Sequence, residues 1–417
     1  MANAKKRIID NFISLLALQG INTLVPLFTF PYLVYVLGIE TFGVYSFISA
    51  VITYGVIITD YGFDLSATKH ISVNRSDPQK ISEIFSSVIL IKSFMAIGFF
   101  LFLGILILFF DKFHNNAFLY ILAFGLVIGQ VLFPVWFFQG MEKMRYITTL
   151  NALSKLIFAA TIFIFVTSKE DLYLVFIFNS VGAIVAGALA LYIAIKNFQL
   201  SFRLQTKEVY IYYLKDAWYI FTSRVAVQLY QSLNIIVLGF FANDTILGYY
   251  AIVVKTIRAA TGILSAFPRA VYPYFAKLHK ESVPHFYNKN VQFSLGVLLL
   301  TIPLTLSVYY FTPEILKLVS GKVPSELMIQ LFHIYTPLLL ISIYGAHFTN
   351  ILVILGKTKL LNNIILFAGI VNVLAIYWVI HYFGVVGLTW LTMAIVTIII
   401  VMTKIYFIFF KFQRQQI

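Results

Sequence analysis

The sequence predicts an all-α integral membrane protein with twelve membrane-spanning helices, arranged as two six-helix lobes. Of its 417 residues, 61% are hydrophobic and only 11% are charged, and the mean hydropathy is +0.92. Soluble domains carry about 25% charged residues. Apolar stretches of about 20 residues recur along the chain between short polar breaks, as in transmembrane helices. The loops and tails that remain are short, so no soluble catalytic domain fits.

The apolar stretches define twelve spans, each long enough to cross a hydrocarbon core of about 30 Å. In chain order they are 12–37, 42–63, 84–110, 117–139, 149–167, 173–195, 216–241, 247–275, 289–311, 327–355, 360–382 and 386–410. The first span follows basic Lys5, Lys6 and Arg7 and shows no small-residue cleavage pattern, which favours a membrane helix over a signal peptide. The chain has no cysteine, which excludes disulfides, zinc–thiolate sites and cysteine nucleophiles.

The lysines and arginines of the predicted loops alternate between a rich and a poor side of the membrane. One set of loops, together with both tails, holds 20 of the 30 cationic residues, and the opposite loops hold four. Cytoplasmic loops of membrane proteins carry the excess of Lys and Arg. We therefore expect an inner-membrane protein with both termini in the cytoplasm and an even number of spans.

The longest inner loop, 196–215, lies halfway along the chain and predicts two lobes, residues 1–200 and 201–417. Two short sequence echoes support this division. ETFGVY at residues 40–45 resembles DTILGYY at residues 244–250, and GMEK at 140–143 resembles GKTK at 356–359. Both pairs lie six spans apart, which indicates parallel repeats related by an axis along the membrane normal.

Six cationic residues fall inside the predicted spans, where a charge costs at least about 2.5–3.5 kcal/mol and normally faces a cavity or a partner. They are Lys92, Lys155, Arg224, Lys255, Arg258 and Arg269. Snorkelling towards a helix end accounts for Lys155 and Arg269, and Lys92 leaves both interpretations open. Arg224 and Lys255 lie about 12 Å into their spans, and Arg258 lies near the midplane.

Helical spacing groups these cations with polar side chains. Lys255, Arg258 and Arg269 fall on one face of span eight. On span seven, Arg224 and two glutamines form a polar stripe with an asparagine beside it; these neighbours are Gln228, Gln231 and Asn234. Such polar faces indicate a water-filled cavity, which Gln228, Gln231 and Asn234 are predicted to line.

Asp60 is the only acid within the predicted spans, with Asp64 four residues on, so the span cations outnumber the acids. An anion from outside the chain would complete the charge, and phosphate is the obvious candidate because Arg and Lys give it charge-assisted hydrogen bonds. The predicted substrate-binding residues are Arg224, Arg258, Lys255 and Lys92.

Asp60 permits two interpretations. It could titrate and couple transport to a proton or sodium gradient, or it could pair with Lys69 or Arg75 at the interface, which we favour. The sequence contains no metal-ligand spacing, P-loop, nucleophile elbow or glycine-rich nucleotide motif. We therefore expect no metal, no cofactor, no nucleic-acid partner and no enzymatic activity.

Four segments resemble bacterial O-antigen and capsule repeat-unit flippases, the Wzx-type polysaccharide biosynthesis proteins of the multidrug/oligosaccharidyl-lipid/polysaccharide exporter superfamily. They are LGIETFGVYSF (37–47), ITDYGFDLSATKHIS (58–72), FFQGMEKMRYITTLNA (137–152) and DAWYIFTSRVAVQLYQSLNIIVLG (216–239). The resemblance covers nearly the whole chain. No single motif in it is strict, and the segments carry it together.

The resemblance implies a MATE-like fold in which two six-helix bundles surround a central cavity. It also implies a function: turning an isoprenyl (undecaprenyl) pyrophosphate-linked oligosaccharide from the cytoplasmic to the periplasmic leaflet for polysaccharide assembly, with polymerase machinery as a further partner. Cationic cavity residues would bind the pyrophosphate or acidic sugars, and Arg224, Lys255 and Arg258 match these positions.

Three other functions compete with this one. A MATE-like exporter of small organic cations should line its cavity with acids, whereas the spans here carry cations. A peptidoglycan-precursor flippase usually has additional spans. A membrane enzyme such as an O-antigen polymerase or ligase needs a sizeable periplasmic loop, and the longest outer loop predicted here is about 15 residues, 312–326.

Overall fold

The computed structural model of the chain describes residues 2–415, without the side chains of residues 2–13, 15, 16, 266, 269 and 411–415. The side chains of Arg269 and of the basic residues near both termini therefore lie outside the described part.

All regular elements within 2–415 are helical, with a 3₁₀ turn at Lys169–Asp171. The α-helices are α1 (Ala2–Asp60), α2 (Phe63–Val73), α3 (Pro78–Phe109), α4 (Asp111–His114), α5 (Ala117–Leu132), α6 (Val135–Gly140), α7 (Met144–Phe165), α8 (Leu172–Asn197), α9 (Lys207–Gln231), α10 (Leu233–Phe241), α11 (Asp244–Leu264), α12 (Ala266–Glu281), α13 (Val283–Tyr310), α14 (Thr312–Ser320), α15 (Glu326–Tyr335), α16 (Leu338–Ile354) and α17 (Thr358–Gln415).

Many of these helices are long and apolar enough to cross a membrane. Among the described residues, nine helical segments qualify, and α9 with α10 forms a further candidate span that bends by 43°. The nine are Ala17–Val73, Pro78–Phe109, Ala117–Gly140, Met144–Phe165, Lys169–Asn197, Asp244–Leu264, Val283–Tyr310, Glu326–Ile354 and Thr358–Phe410. The chain is a multi-pass membrane protein, and the predicted all-α class is confirmed.

Two of the helices, α1 and α17, each contain a glycine with a non-helical backbone. Gly38 in α1 has φ 75° and ψ 168°, and Gly384 in α17 has φ 58° and ψ −151°. A side chain is strongly disfavoured at these dihedral angles, which glycine adopts without cost. Each long helix is therefore two helical pieces joined at a glycine.

The chain divides into two compact units. The first comprises the residues up to Leu37 and Tyr45–Val225; the second comprises Gly38–Val44 and the residues from Ala226 onward. In the first unit, the aromatic side chains of α6 form part of the core, where Trp136 and Phe137 are buried and contact Phe85 of α3. The start of α3 is fixed by Asp77, whose carboxylate accepts hydrogen bonds from the backbone N–H groups of the first turn.

In the second unit, the segment Gly38–Val44 packs against the first turns of α11 through two glycines. A Cβ atom on Gly43 would lie 2.1 Å from the carbonyl oxygen of Asp244, and one on Gly248 would lie 2.1 Å from that of Ile39. Only glycine permits this backbone approach, and small residues commonly allow it between membrane helices. Gly43 of ETFGVY therefore lies against the segment DTILGYY, and Gly248 of DTILGYY lies against the residue just before ETFGVY.

We predict that Gly248→Ala destabilises the protein, because the added methyl group collides with the backbone at Ile39. Overpacking of this kind costs about 1–3 kcal/mol. The expected result is a lower midpoint of thermal unfolding in detergent, where tryptophan fluorescence monitors the unfolding.

Gly262→Ala is the matched control, since Gly262 lies on the same helix and a Cβ there meets no heavy atom within 4 Å. It should leave the midpoint almost unchanged. Equal midpoints for the two variants would contradict the close approach.

Candidate functional site

A tight turn between α1 and α2 positions the acids of the first unit. Tyr61 and Gly62 both have positive φ, 47° and 79°. A Cβ on Gly62 would lie 2.8 Å from the side chain of Ile220 on α9, and the Tyr61 ring stacks on Phe221 with centroids 4.5 Å apart. The turn and α9 are thus in direct contact, which brings α9 beside Asp60.

At this contact, two acids and two cations form a network, which we call the Asp60 cluster: Asp60, Asp64, Lys92 and Arg224. The Nζ atom of Lys92 lies 3.2 Å from Oδ1 of Asp60, and Nη1 of Arg224 lies 3.3 Å from Oδ2 of the same carboxylate. Nη2 of Arg224 also pairs with Asp64. The formal charges of the four side chains balance.

Gln130 of α5 completes the hydrogen bonds of this cluster. Its backbone carbonyl accepts a hydrogen bond of 3.0 Å from Nζ of Lys92, and its side-chain amide donates one of 3.3 Å to Oδ1 of Asp60. The Lys92 side chain is 1% exposed and that of Asp60 is 9% exposed, whereas Arg224 is 39% exposed. Arg224 is therefore the member of the cluster that external molecules can contact most readily.

The preferred pairing of Asp60 with Lys69 or Arg75 is wrong. Nη1 of Arg75 pairs with Glu142 at 2.5 Å, and its Nε donates to the carbonyl of Gly140 at 2.6 Å. Asp60 instead meets cations from α3 and α9, which are remote in sequence. The expectation that acids of the chain are too few to balance the span cations is also wrong for Lys92 and Arg224, because Asp64, in the first turn of α2, contributes a second carboxylate.

In the second unit, Arg258 of α11 is exposed, and its guanidinium donates a hydrogen bond to the backbone carbonyl of Gln231. This carbonyl lies at the C-terminus of α9, where the last carbonyls have no partner within the helix. Among the described residues, no carboxylate lies within ion-pair distance of Arg258. Lys255, one turn earlier, places Nζ 4.5 Å from the centre of the Phe42 ring, a cation–π contact.

The polar residues predicted on span seven have different surroundings. Gln228 is half-buried and accepts a hydrogen bond of 2.8 Å from Ser232. Asn234 is 1% exposed: it donates to Thr392 at 2.7 Å and accepts from Asn372 at 2.9 Å. The Asn234 contacts join α10 to both pieces of α17.

Several of these partners escaped the sequence analysis. Asp64 was visible four residues after Asp60 but was placed outside the span. Gln130, Asn372 and Thr392 are ordinary polar residues in apolar helices, and nothing in the sequence alone pairs them with Asp60 or Asn234. Among the described residues, no group of three or more His, Cys, Asp or Glu side chains could hold a metal ion.

Comparison with known proteins identifies the family. Residues 8–279 match the model of the polysaccharide biosynthesis protein family. A relative from Escherichia coli is 30% identical over 367 residues, 84% of this chain and 88% of that protein. The chain belongs to the polysaccharide biosynthesis protein family. A family member from Shigella dysenteriae is 27% identical over 91% of this chain and 94% of its own length. Both relatives are provisionally named O-antigen transporters.

Solved structures show the fold of this family member. An inward-facing multidrug resistance MATE family transporter of the MOP superfamily matches with a TM-score of 0.68 at 13% identity, over 94% of both chains. The lipid II flippase MurJ in an inward closed conformation matches with the same TM-score at 15% identity, over 95% of this chain and 86% of that one. These matches confirm a MATE-like backbone fold, whereas the arrangement of twelve spans in two six-helix bundles stays a prediction.

We predict that Asp60→Asn strongly destabilises the protein. The substitution leaves the buried ammonium of Lys92 without a carboxylate, and breaking a buried ion pair from one side costs about 3–5 kcal/mol. The measurement is the unfolding midpoint in detergent, together with the yield of folded protein from membranes. The double variant Asp60→Asn/Lys92→Met should recover part of the loss.

Glu170→Gln is the control for this prediction. Lys169 and Glu170 form an ion pair at 3.9 Å in which both side chains are 70% exposed, and such surface pairs contribute about 0–1 kcal/mol. A stability of Asp60→Asn within the range of this control would show that the cluster does not stabilise the fold.

Proposed function

We propose that this protein is a flippase that turns an isoprenyl (undecaprenyl) pyrophosphate-linked oligosaccharide repeat unit from the cytoplasmic to the periplasmic leaflet. Transport by alternating access would supply repeat units for O-antigen or capsular polysaccharide assembly and needs no covalent chemistry. Family membership supports the substrate class. The observation that carries the proposal is Arg258, an exposed guanidinium on an apolar helix without a carboxylate among the described residues.

The chemistry of the span cations agrees with a pyrophosphate substrate. Guanidinium groups give phosphate oxygens paired, charge-assisted hydrogen bonds. Arg258 donates one hydrogen bond to a backbone carbonyl, and its guanidinium has further N–H groups that can bind a ligand. Arg224 is 39% exposed and provides the first unit with a second candidate. In this proposal Arg224 is the candidate contact for an anionic group in the first unit, where Lys92 orients the Asp60 cluster. Arg258 is the candidate contact in the second unit, where Lys255 adds positive charge near it.

The alternative function, export of small organic cations, has less support. A cation exporter needs acids that are available to its substrate, whereas Asp60 and Asp64 of the cluster are both paired with cations of the chain. The MATE-family and MurJ structures do not choose between the functions, because at 13–15% identity they show the fold alone. The names of the two relatives favour polysaccharide export.

The proposal includes twelve spans in two six-helix lobes, residues 1–200 and 201–417. A 57-residue segment of helix is about 85 Å long at 1.5 Å per residue, far more than one crossing of a core of about 30 Å needs. Two crossings for each of the helices broken at Gly38 and Gly384, with α9 and α10 as one bent span, bring the count to twelve. Both termini would then lie in the cytoplasm, as the loop charges indicate.

Two finer points belong to the same proposal. The carboxylate of Asp60 is the candidate group for coupling to protons or sodium, because a change in its charge would unbalance the cluster that joins α1, α3 and α9. The polysaccharide polymerase that would use the flipped repeat units is the expected protein partner.

We predict that Arg258→Ala lowers lipid flipping by tenfold or more in liposomes. Charge-assisted hydrogen bonds contribute about 1.5–3 kcal/mol, and each 1.4 kcal/mol is a factor of ten. The assay follows leaflet transfer of a fluorescent isoprenyl-pyrophosphate oligosaccharide by reconstituted protein. Arg224→Ala should also reduce transfer, and Arg258→Lys should retain part of it because the charge remains.

Lys322→Ala, which removes a cation from a predicted outer loop, is the matched control and should transport like the wild type. Unchanged transfer by Arg224→Ala and Arg258→Ala would refute the site assignment while leaving the flippase intact. A wild-type protein that transfers none of several glycolipids, under either proton or sodium gradients, would favour the cation exporter instead.

The absence of cysteine from the chain permits a direct test of topology. We predict that a membrane-impermeant maleimide labels Asn115→Cys, Lys322→Cys and Tyr382→Cys in spheroplasts, because these exposed residues belong to the predicted outer side. Ser76→Cys and Lys359→Cys, on the predicted inner side, should react only after permeabilisation.

The Tyr382→Cys variant tests the break at Gly384. Labelling from outside is expected if α17 crosses the membrane twice. Its reaction only after permeabilisation would contradict the twelve-span arrangement, and the same result for Asn115→Cys and Lys322→Cys would reverse the orientation.

A further inference from the structure

A partly polar cavity of about 400 Å³ lies within the first unit, between the second piece of α1 and helices α5, α7 and α8. Its volume falls in the range of about 300–1,000 Å³ that is typical of small-molecule sites. Asn151 and Lys155 of α7 and Asn179 of α8 line it, together with hydroxyl groups such as those of Ser49 and Thr53. The sequence analysis did not single out this combination.

Among the described residues that line this cavity, Lys155 is the only charged one. The lysine is half-buried, and its ammonium group donates a hydrogen bond to Oδ1 of Asn22. None of the described carboxylates forms an ion pair with it. An ammonium in an apolar helix that is balanced only by neutral oxygens favours an anionic ligand.

An apolar groove of about 280 Å³ adjoins the cavity on the face shared by α7 and α8. Its walls include Ile157 and Leu153 of α7 and Val181 and Val185 of α8, which are all about half exposed. Ser154 and Ala186 line both the groove and the polar cavity. The two are therefore adjacent, and together they match a ligand that is polar at one end and apolar at the other.

We propose that the cavity and the groove together are an additional binding position for the lipid carrier of the substrate, occupied when its phosphates are not in contact with Arg224 or Arg258. A phosphate would then lie beside Lys155 and the first units of the isoprenoid chain along the groove. This inference rests on the proposed function for the identity of the lipid. The side chains of Asn151 and Asn179 line the same cavity as Lys155, and their amides would supply hydrogen-bond partners for the sugar that follows the phosphates. A bilayer phospholipid matches less well, because a single groove accommodates one chain and leaves the second outside.

The test measures binding of fluorescent geranylgeranyl pyrophosphate, a short-chain probe, to the full-length protein in detergent. Lys155→Ala should weaken binding at least tenfold, and Lys155→Arg should restore most of it. Ile157→Trp fills the groove and should also weaken binding at least tenfold. Ile105→Trp is its matched control, since Ile105 and Ile157 are 52% and 51% exposed and Ile105 does not line the groove. Unfolding midpoints verify that each variant is folded.

Several results would overturn the proposal: no measurable binding to the wild type, affinities of Lys155→Ala and Ile157→Trp within twofold of the wild type, or equal competition by phosphatidylglycerol. Competition by inorganic pyrophosphate that equals competition by unlabelled probe would also overturn it, because the groove would then contribute nothing. The flipping assay separates this inference from the proposed function. Wild-type flipping with unaltered binding in the variants refutes this site alone, whereas specific binding without any flipping supports the site and refutes the transport function.

Discussion

The cost of placing charge in an apolar membrane helix is the constraint on which the other features depend. An isolated charge in hydrocarbon is expensive, so each one must find a partner, a neutral oxygen or water. The described span cations satisfy this in different ways. Lys92 is buried against Asp60, Arg224 pairs with Asp60 and Asp64, and Lys155 and Arg258 donate to neutral oxygens. Lys255 lies over an aromatic ring.

This constraint explains why unusual backbone geometry surrounds the Asp60 cluster. The carboxylates of Asp60 and Asp64 reach Arg224 only if α9 approaches the turn between α1 and α2 closely. Gly62 permits that approach, since a Cβ there would collide with Ile220. The positive φ at position 62 and the close approach of Ile220 both favour glycine there. Gly62 is therefore a structural requirement of the ion pairs, independent of any contact with a ligand.

Apolar length and periodicity predicted the class of the protein, whereas tertiary pairing could not be predicted from the sequence. Spans of apolar residues identified the all-α membrane class, because the bilayer fixes helix length. Arg224, Lys255 and Arg258 stood out because charge is rare in such spans. The partners of Asp60 could not be predicted, since Lys92 and Arg224 are 32 and 164 residues away from it. Sequence distance favoured the nearby Lys69 and Arg75. The predicted span 42–63 ended one residue before Asp64, which removed that acid from the charge balance. The cavity beside Lys155 was missed for a similar reason: helical spacing describes one helix at a time, whereas this cavity is lined by α1, α5, α7 and α8.

The two arginines proposed to contact substrate differ in a way that matters for transport. A pyrophosphate that approaches Arg224 must compete with Asp60 and Asp64. This competition weakens its binding to Arg224 and so lowers the free energy needed to release it. Arg258 donates to a backbone carbonyl and pairs with no carboxylate among the described residues, so an anion gains more there. A flippase must bind its substrate in one leaflet and release it in the other, and uniformly tight binding would hinder the second step. In the proposed function, Arg224, which is held by acids, would be the weaker contact for an anion, and Arg258, which is held by a neutral oxygen, would be the stronger one. When the substrate leaves Arg224, the guanidinium pairs with Asp60 and Asp64 again. Release of the substrate therefore leaves no unpaired charge at Arg224.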